Sequence, residues 1–86
     1  MTKTEQRIRG ILSRVTGMQT EIPADADLYR DLGLGSLYAL QLMTEMEREF
    51  QAAVPEEDFV EATSISKLVV MVDRMQARPR ALRIDA

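Results

Sequence analysis

The chain contains no cysteine, no histidine and no tryptophan. The first absence rules out a disulfide framework and makes a reducing cytoplasm the expected compartment. The first two together remove the common zinc sites and any serine or cysteine nucleophile worked by a histidine base. Carboxylates are plentiful, yet a calcium loop begun at Asp25 fails, because Arg30 stands where a glycine is needed and Ser36 where a glutamate is needed. No metal site is expected. No apolar run approaches the roughly 20 residues that span a membrane, and the opening Met1-Thr2-Lys3-Thr4-Glu5-Gln6 lacks the apolar segment of a secretory signal. No membrane partner is expected either.

What is present suits one small helical domain. The 86 residues are 45% hydrophobic, and two halves would each be too small to bury a core. The net charge of −3 conceals an asymmetry: residues 21–61 hold eleven acids and only two bases, Arg30 and Arg48, while the two ends hold nine bases and three acids. Such an acidic middle can steer basic protein partners. It repels nucleic-acid phosphate, so no nucleic-acid partner is expected.

Apolar residues recur at helical spacing. Thr2 and Glu5 have the spacing of a capping box, Ile8, Ile11, Leu12 and Val15 share one helical face, and Gly17 is a stop. Gly10 weakens this helix by about 1 kcal/mol relative to alanine. Residues 18–35 form a long connection with Pro23, Asp25, Asp27 and Asp31, pinned by Leu28, Leu32 and Leu34; loops this long within a domain usually have a function. A second helix is predicted from about Ser36 to Phe50, with Leu40, Met43, Met46 and Phe50 inward. Pro55 suits the first turn of a short third helix, with Phe59 and Val60 as its core contacts. Thr63 or Ser64 caps a last helix whose Ile65, Leu68, Val69, Val72 and Met75 face inward. Met43, Met46, Met71 and Met75 give the interior an adaptable filling. The expected fold is all-α, a small four-helix bundle of three longer helices and one short one. Residues 1–76 form the domain, and residues 77–86 form a flexible basic tail.

The run Asp31-Leu32-Gly33-Leu34-Gly35-Ser36-Leu37 closes the long connection. It sets one hydroxyl at a helix N-terminus, where unpaired N–H groups and the helix dipole favour an anion. A phosphate ester on that oxygen is well placed. A serine before a helix can also be a plain N-cap, and on these residues alone both readings stand.

Taken together, Asp27-Leu28, Asp31-Leu32-Gly33, Ser36-Leu37, Glu47 with Phe50, Val54-Pro55 and Thr63-Ser64-Ile65 resemble the acyl carrier protein family, over roughly residues 4–76. The resemblance implies that a phosphopantetheinyl transferase, using coenzyme A and magnesium, attaches a 4′-phosphopantetheine arm to Ser36, with Gly35 and Leu37 beside it. The arm ends in a thiol that bears an acyl or aminoacyl group as a thioester, so the cofactor supplies the sulfur this chain lacks. No residue of the chain is then catalytic. The further partners implied are an acyl- or aminoacyl-loading ligase and a downstream transferase, with the carrier acting as a monomer.

Two departures from the family pattern stand out. The family normally has an aspartate before the serine, which helps its transferase recognise the target; here Gly35 removes that anion and lets another backbone come closer. Carriers of fatty acid synthesis also present a strongly acidic second helix. Here the corresponding face reads Leu37, Tyr38, Gln41, Thr44, Glu45 and Arg48, with a single acid. Tyrosine and arginine are enriched at protein interfaces, so this face is expected to dock a dedicated enzyme rather than a general synthase. A discrete carrier of polyketide or peptide secondary metabolism fits, and so does an aminoacyl carrier loaded by a ligase resembling a tRNA synthetase, to which the stretch Ser36–Phe50 is similar. The alternative is a helical interaction domain of the same fold with no arm. A helix-turn-helix DNA binder lacks a basic recognition helix, and a small hydrolase lacks a base near Ser36.

Overall fold

Thr2 opens the first helix as its spacing predicts: its Oγ1 accepts a hydrogen bond from Glu5 N at 3.0 Å. The box is only half closed, because the Glu5 carboxylate turns to Arg9 instead, at 3.0 Å. The computed structural model describes residues 2–18 and 21–77. Helix α1 (Lys3–Thr16) ends at Gly17, whose φ of 75° lets its N–H reach back to Ser13 O. Helices α2 (Ser36–Phe50), α3 (Glu56–Glu61) and α4 (Ile65–Ala77) follow. No strand occurs among the described residues. The architecture is the all-α bundle of three longer helices and one short helix. The basic tail from residue 78 onward lies outside the described residues, and Ala77 belongs to α4.

Helix α1 packs against both α2 and α4, and α3 lies against α4. Ile8, Ile11 and Leu12 meet Leu42, Met46 and Phe50 of α2 and Ile65, Leu68, Met71 and Val72 of α4 in one core. Ile22 and Leu28 bring the long connection into the same core. Arg7 clamps the outer edge: its guanidinium lies 4.5 Å from the centre of the Phe50 ring and its Nε donates to Glu49 Oε2 at 2.8 Å.

Three inward assignments change. Leu40 is 62% exposed and Val60 65%, while Leu42, not assigned inward, is fully buried. Leu40 and Leu42 are two residues apart and so lie about 160° apart around the helix. Both stripes have helical spacing, and the one that faces α1 is the Leu42-Met46-Phe50 row. Pro55 is the N-cap of α3 rather than part of its first turn. Ser64, rather than Thr63, caps α4, accepting from Lys67 N at 3.2 Å.

Gly10 is exposed, and a methyl group there would meet nothing within 4 Å. Gly10→Ala is therefore expected to raise the unfolding free energy by about 1 kcal/mol, read as a higher midpoint in urea with an unchanged slope.

Candidate functional site

The residues before α2 hold themselves in place through their own side chains. Asp27 Oδ1 accepts from Arg30 N at 2.7 Å and from Tyr29 N at 2.9 Å, and Asp31 Oδ2 accepts from Asp27 N at 2.9 Å. Gly33, with φ 72°, then turns the chain so that Leu34 N donates to Leu28 O at 3.0 Å. The whole turn is tied to the bundle. Leu28 is buried and its N–H donates to Thr63 O, Ser66 N donates to Ala24 O, and Arg9 Nη1 donates to Ile22 O at 2.6 Å. The spacing of the two aspartates is thus the spacing needed to close this turn, and the turn aims the start of α2.

The backbone N–H groups of Arg30 and Tyr29, together with the charges of Arg30 and Lys67, hold the Asp27 carboxyl below the usual carboxylate range, against an opposing effect of partial burial. A carboxyl depressed in the folded state stabilises the fold fully above its unfolded value of about 4, and that contribution is lost as pH falls through the folded value. Asp27→Asn keeps the hydrogen-bond acceptor but removes the titration. Its acid unfolding curve is expected to lack the part of the wild-type loss that falls below about pH 4, measured by circular dichroism. An unchanged curve would remove Asp27 from the acid response.

Gly35, not Ser36, is the N-cap of α2. Its φ and ψ of −82° and 166° are extended, and it supplies no capping side chain. Ser36 is the first helical residue, exposed, and its Oγ has no hydrogen-bond partner among the described residues. The plain-cap reading of this serine therefore fails on position. No acid occupies the first turn of α2, so the positive end of the helix beside the hydroxyl carries no negative side chain.

Small-molecule sites are commonly clefts of roughly 300–1,000 Å³, and one of about 510 Å³ opens beside Ser36, between α2 and α3. Its walls are Ala39, Leu40, Met43, Phe59 and Val60, with Tyr29 at the loop side. Tyr29 is partly buried there, which together with the nearby Asp27 charge pushes its hydroxyl pKa up and keeps it neutral. An apolar cleft at an exposed, unbonded hydroxyl fits an arm that carries an apolar group. Leu40, Val60 and Tyr29 were not singled out for this site from the sequence. Leu40 stands four residues after Ser36, the spacing that puts two side chains on one helical face, so that signal was present.

The predicted partner face is only partly a free surface. Leu37, Tyr38, Gln41, Thr44 and Arg48 are exposed, and Leu37 adjoins Ser36 in the chain. Glu45 is different. It lies 3.4 Å from Arg14 of α1 and 3.5 Å from Arg48, so its charge is shared between two arginines. Arg14 joins this face from another helix, which no spacing within α2 could reveal.

Comparison with known proteins agrees with this geometry. The family model described as "Phosphopantetheine attachment site" matches residues 6–72. A non-reducing polyketide synthase of Emericella nidulans is 35% identical over 68 residues, which are 78% of this chain but only 3% of the synthase. An acyl carrier protein of Akkermansia muciniphila is 29% identical over 73 residues, 84% of this chain and 91% of that one. Among solved structures, a Mycobacterium tuberculosis chain assigned as an acyl carrier protein superposes with a TM-score of 0.77 at 30% identity, over 83% of this chain and 96% of the other.

Proposed function

This chain belongs to the phosphopantetheine-attachment family of acyl carriers, and from that premise we propose that Ser36 is where the arm is attached and that residues 1–76 are the carrier domain. The family's cofactor is covalently attached 4′-phosphopantetheine, and its members carry substrates rather than transform them. The observation that carries the assignment of Ser36 is its placement: an exposed hydroxyl with no internal partner, at the positive end of α2 and at the mouth of an apolar cleft.

In the loading reaction Ser36 Oγ attacks the phosphorus of coenzyme A that bears pantetheine, a phosphodiester forms, adenosine bisphosphate leaves, and the hydroxyl proton passes to a base of the transferase. The chain contributes no base of its own; its part is to present the oxygen. The free N–H groups at the start of α2 favour the resulting negative charge. A Cβ at Gly35 would meet nothing within 4 Å in this chain, so the fold itself does not require a glycine there. When attached, the arm supplies the thiol that bears the acyl group. Leu40, Met43, Phe59 and Val60 offer that group an apolar wall, and Leu37 and Tyr38 stand where each visiting enzyme must pass.

The work we infer is specialised rather than housekeeping. The single, doubly paired acid on this α2 face supports a dedicated partner enzyme, and the similarity to part of a polyketide synthase supports polyketide assembly over an aminoacyl role. The partners are the transferase, a loading ligase and a downstream transferase, met by a monomeric carrier in the cytoplasm. The test is the intact mass of the purified chain after incubation with coenzyme A, magnesium and a broad-specificity phosphopantetheinyl transferase. A gain of one phosphopantetheine is expected. No gain beside a modified control carrier would leave the armless interaction domain as the better reading.

A further inference from the structure

Most of the side chains that line the cleft beside Ser36 donate no hydrogen bond: Ala39, Leu40, Met43, Phe59 and Val60. The other three are polar, and they are not equivalent. Ser36 Oγ loses its proton once it is esterified to phosphate. The Glu56 carboxylate is exposed on the α3 side and, when ionised, only accepts. Along the walls the main-chain N–H groups are spent within the helices, Ala39 N donating to Gly35 O and Phe59 N to Pro55 O, each at 2.9 Å. Tyr29 Oη is left as the one side-chain donor of the cleft.

The turn before α2 fixes Tyr29 at both of its peptide groups. Its N–H donates to Asp27 Oδ1 at 2.9 Å, and its carbonyl accepts from Gly33 N at 3.1 Å. The ring packs, partly buried, against the core. Buried tyrosine hydroxyls usually find a partner, yet this one has none among the described residues. No fully buried side-chain oxygen there lacks a partner, so the Tyr29 hydroxyl is not sealed in the core. It stays open to whatever enters from solvent. Its partial burial still pushes its pKa up, helped by the Asp27 charge, so the proton remains on the oxygen at neutral pH. An apolar cleft with one fixed, open donor has the make-up of a site that orients its occupant.

We propose that Tyr29 is a specificity-determining residue: its hydroxyl donates to a ketone oxygen on the carried acyl chain and favours that cargo over a fully saturated chain. The proposal rests on the reading of Ser36 as the attachment residue, because the group on the arm is then tethered at the mouth of the cleft. A saturated chain gains only from the apolar walls, and it strips water from the Tyr29 hydroxyl without replacing that hydrogen bond, which is costly. A ketone replaces it. The ketone oxygen accepts and cannot donate, so Tyr29 can pair with it and the Glu56 carboxylate cannot. An amino group on the chain would instead be drawn to Glu56.

Octanoyl- and 3-oxooctanoyl-coenzyme A, each used with the broad-specificity phosphopantetheinyl transferase, give two loaded carriers to compare. The readout is the rate at which 2-mercaptoethanol removes the acyl group by thioester exchange, followed by intact mass. The chain has no cysteine to compete. Each rate is divided into that of the same acyl-pantetheine free in solution, which gives the protection that the cleft confers. The wild type is expected to protect the 3-oxooctanoyl group more than the octanoyl group. Tyr29→Phe is expected to lower protection of the 3-oxooctanoyl group about three- to tenfold and to change that of the octanoyl group by less than about twofold. The melting temperature of the unloaded variant should match the wild type, since the hydroxyl bonds to nothing in the described chain. An equal loss for both cargoes, no loss for the ketone, or a wild type that leaves the 3-oxooctanoyl group unprotected would each overturn the proposal. A wild-type chain that gained no arm from either reagent would instead overturn the assignment of Ser36.

Discussion

Ser36→Ala is expected to abolish phosphopantetheine incorporation completely while leaving the fold untouched. The loss is total because no second hydroxyl among the described residues has the same setting. Ser64, also next to a helix start, is 5% exposed and is committed to capping α4. The fold is spared for an equally local reason. Ser36 is exposed, its hydroxyl bonds to nothing in the described chain, and alanine is a better helix former. A change within about 0.5 kcal/mol is expected. Intact mass and thermal melting of the two proteins, measured side by side, separate the effects. If the alanine variant still gained the mass of one arm, attachment would be elsewhere. If it lost several kcal/mol of stability, the serine would be a structural residue.

The largest stability effect is expected in α2, from a pair of leucines two residues apart. Leu42→Ala should cost about 2–5 kcal/mol, the usual range for emptying a fully buried leucine site. That is a large share of what a domain of this size possesses. Leu40→Ala should cost about 0.5 kcal/mol or less, because most of that side chain is already in water. Urea unfolding monitored by circular dichroism gives both numbers. The pair also tests the orientation of α2 directly. Equal losses would mean that the helix is rotated from the position described, and the cleft beside Ser36 would then have a different wall. With the orientation as described, Leu40→Ala should act on function instead, by removing one side of the cleft mouth that partners reach.

Much of this fold was legible as a pattern along the chain. The four helices, the capping role of Thr2, the stop at Gly17 and the core rows of α1 and α4 follow from periodicity and from local hydrogen-bond chemistry, which a short stretch of sequence carries in full. The motif around Ser36 was legible for the same reason. Its aspartates bond to backbone groups two to four residues away, so spacing alone encodes the turn.

The side of α2 that faces inward was not encoded in that way. Leu40, Met43, Met46 and Phe50 keep helical spacing as well as the true row does, and only the packing of α1 against the helix chose between them. The same holds for charge. Composition showed an acidic middle, but a count of residues cannot tell a carboxylate spent on an arginine of another helix from one left free in solvent. By itself the sequence determined the helices, the turn and the hydroxyl at its end, because each rests on neighbours in the chain. Only the tertiary structure decided which leucines line the cleft and which glutamates still have charge to offer, because those outcomes rest on contacts such as Arg7 with Glu49 and Arg14 with Glu45, between residues far apart in sequence.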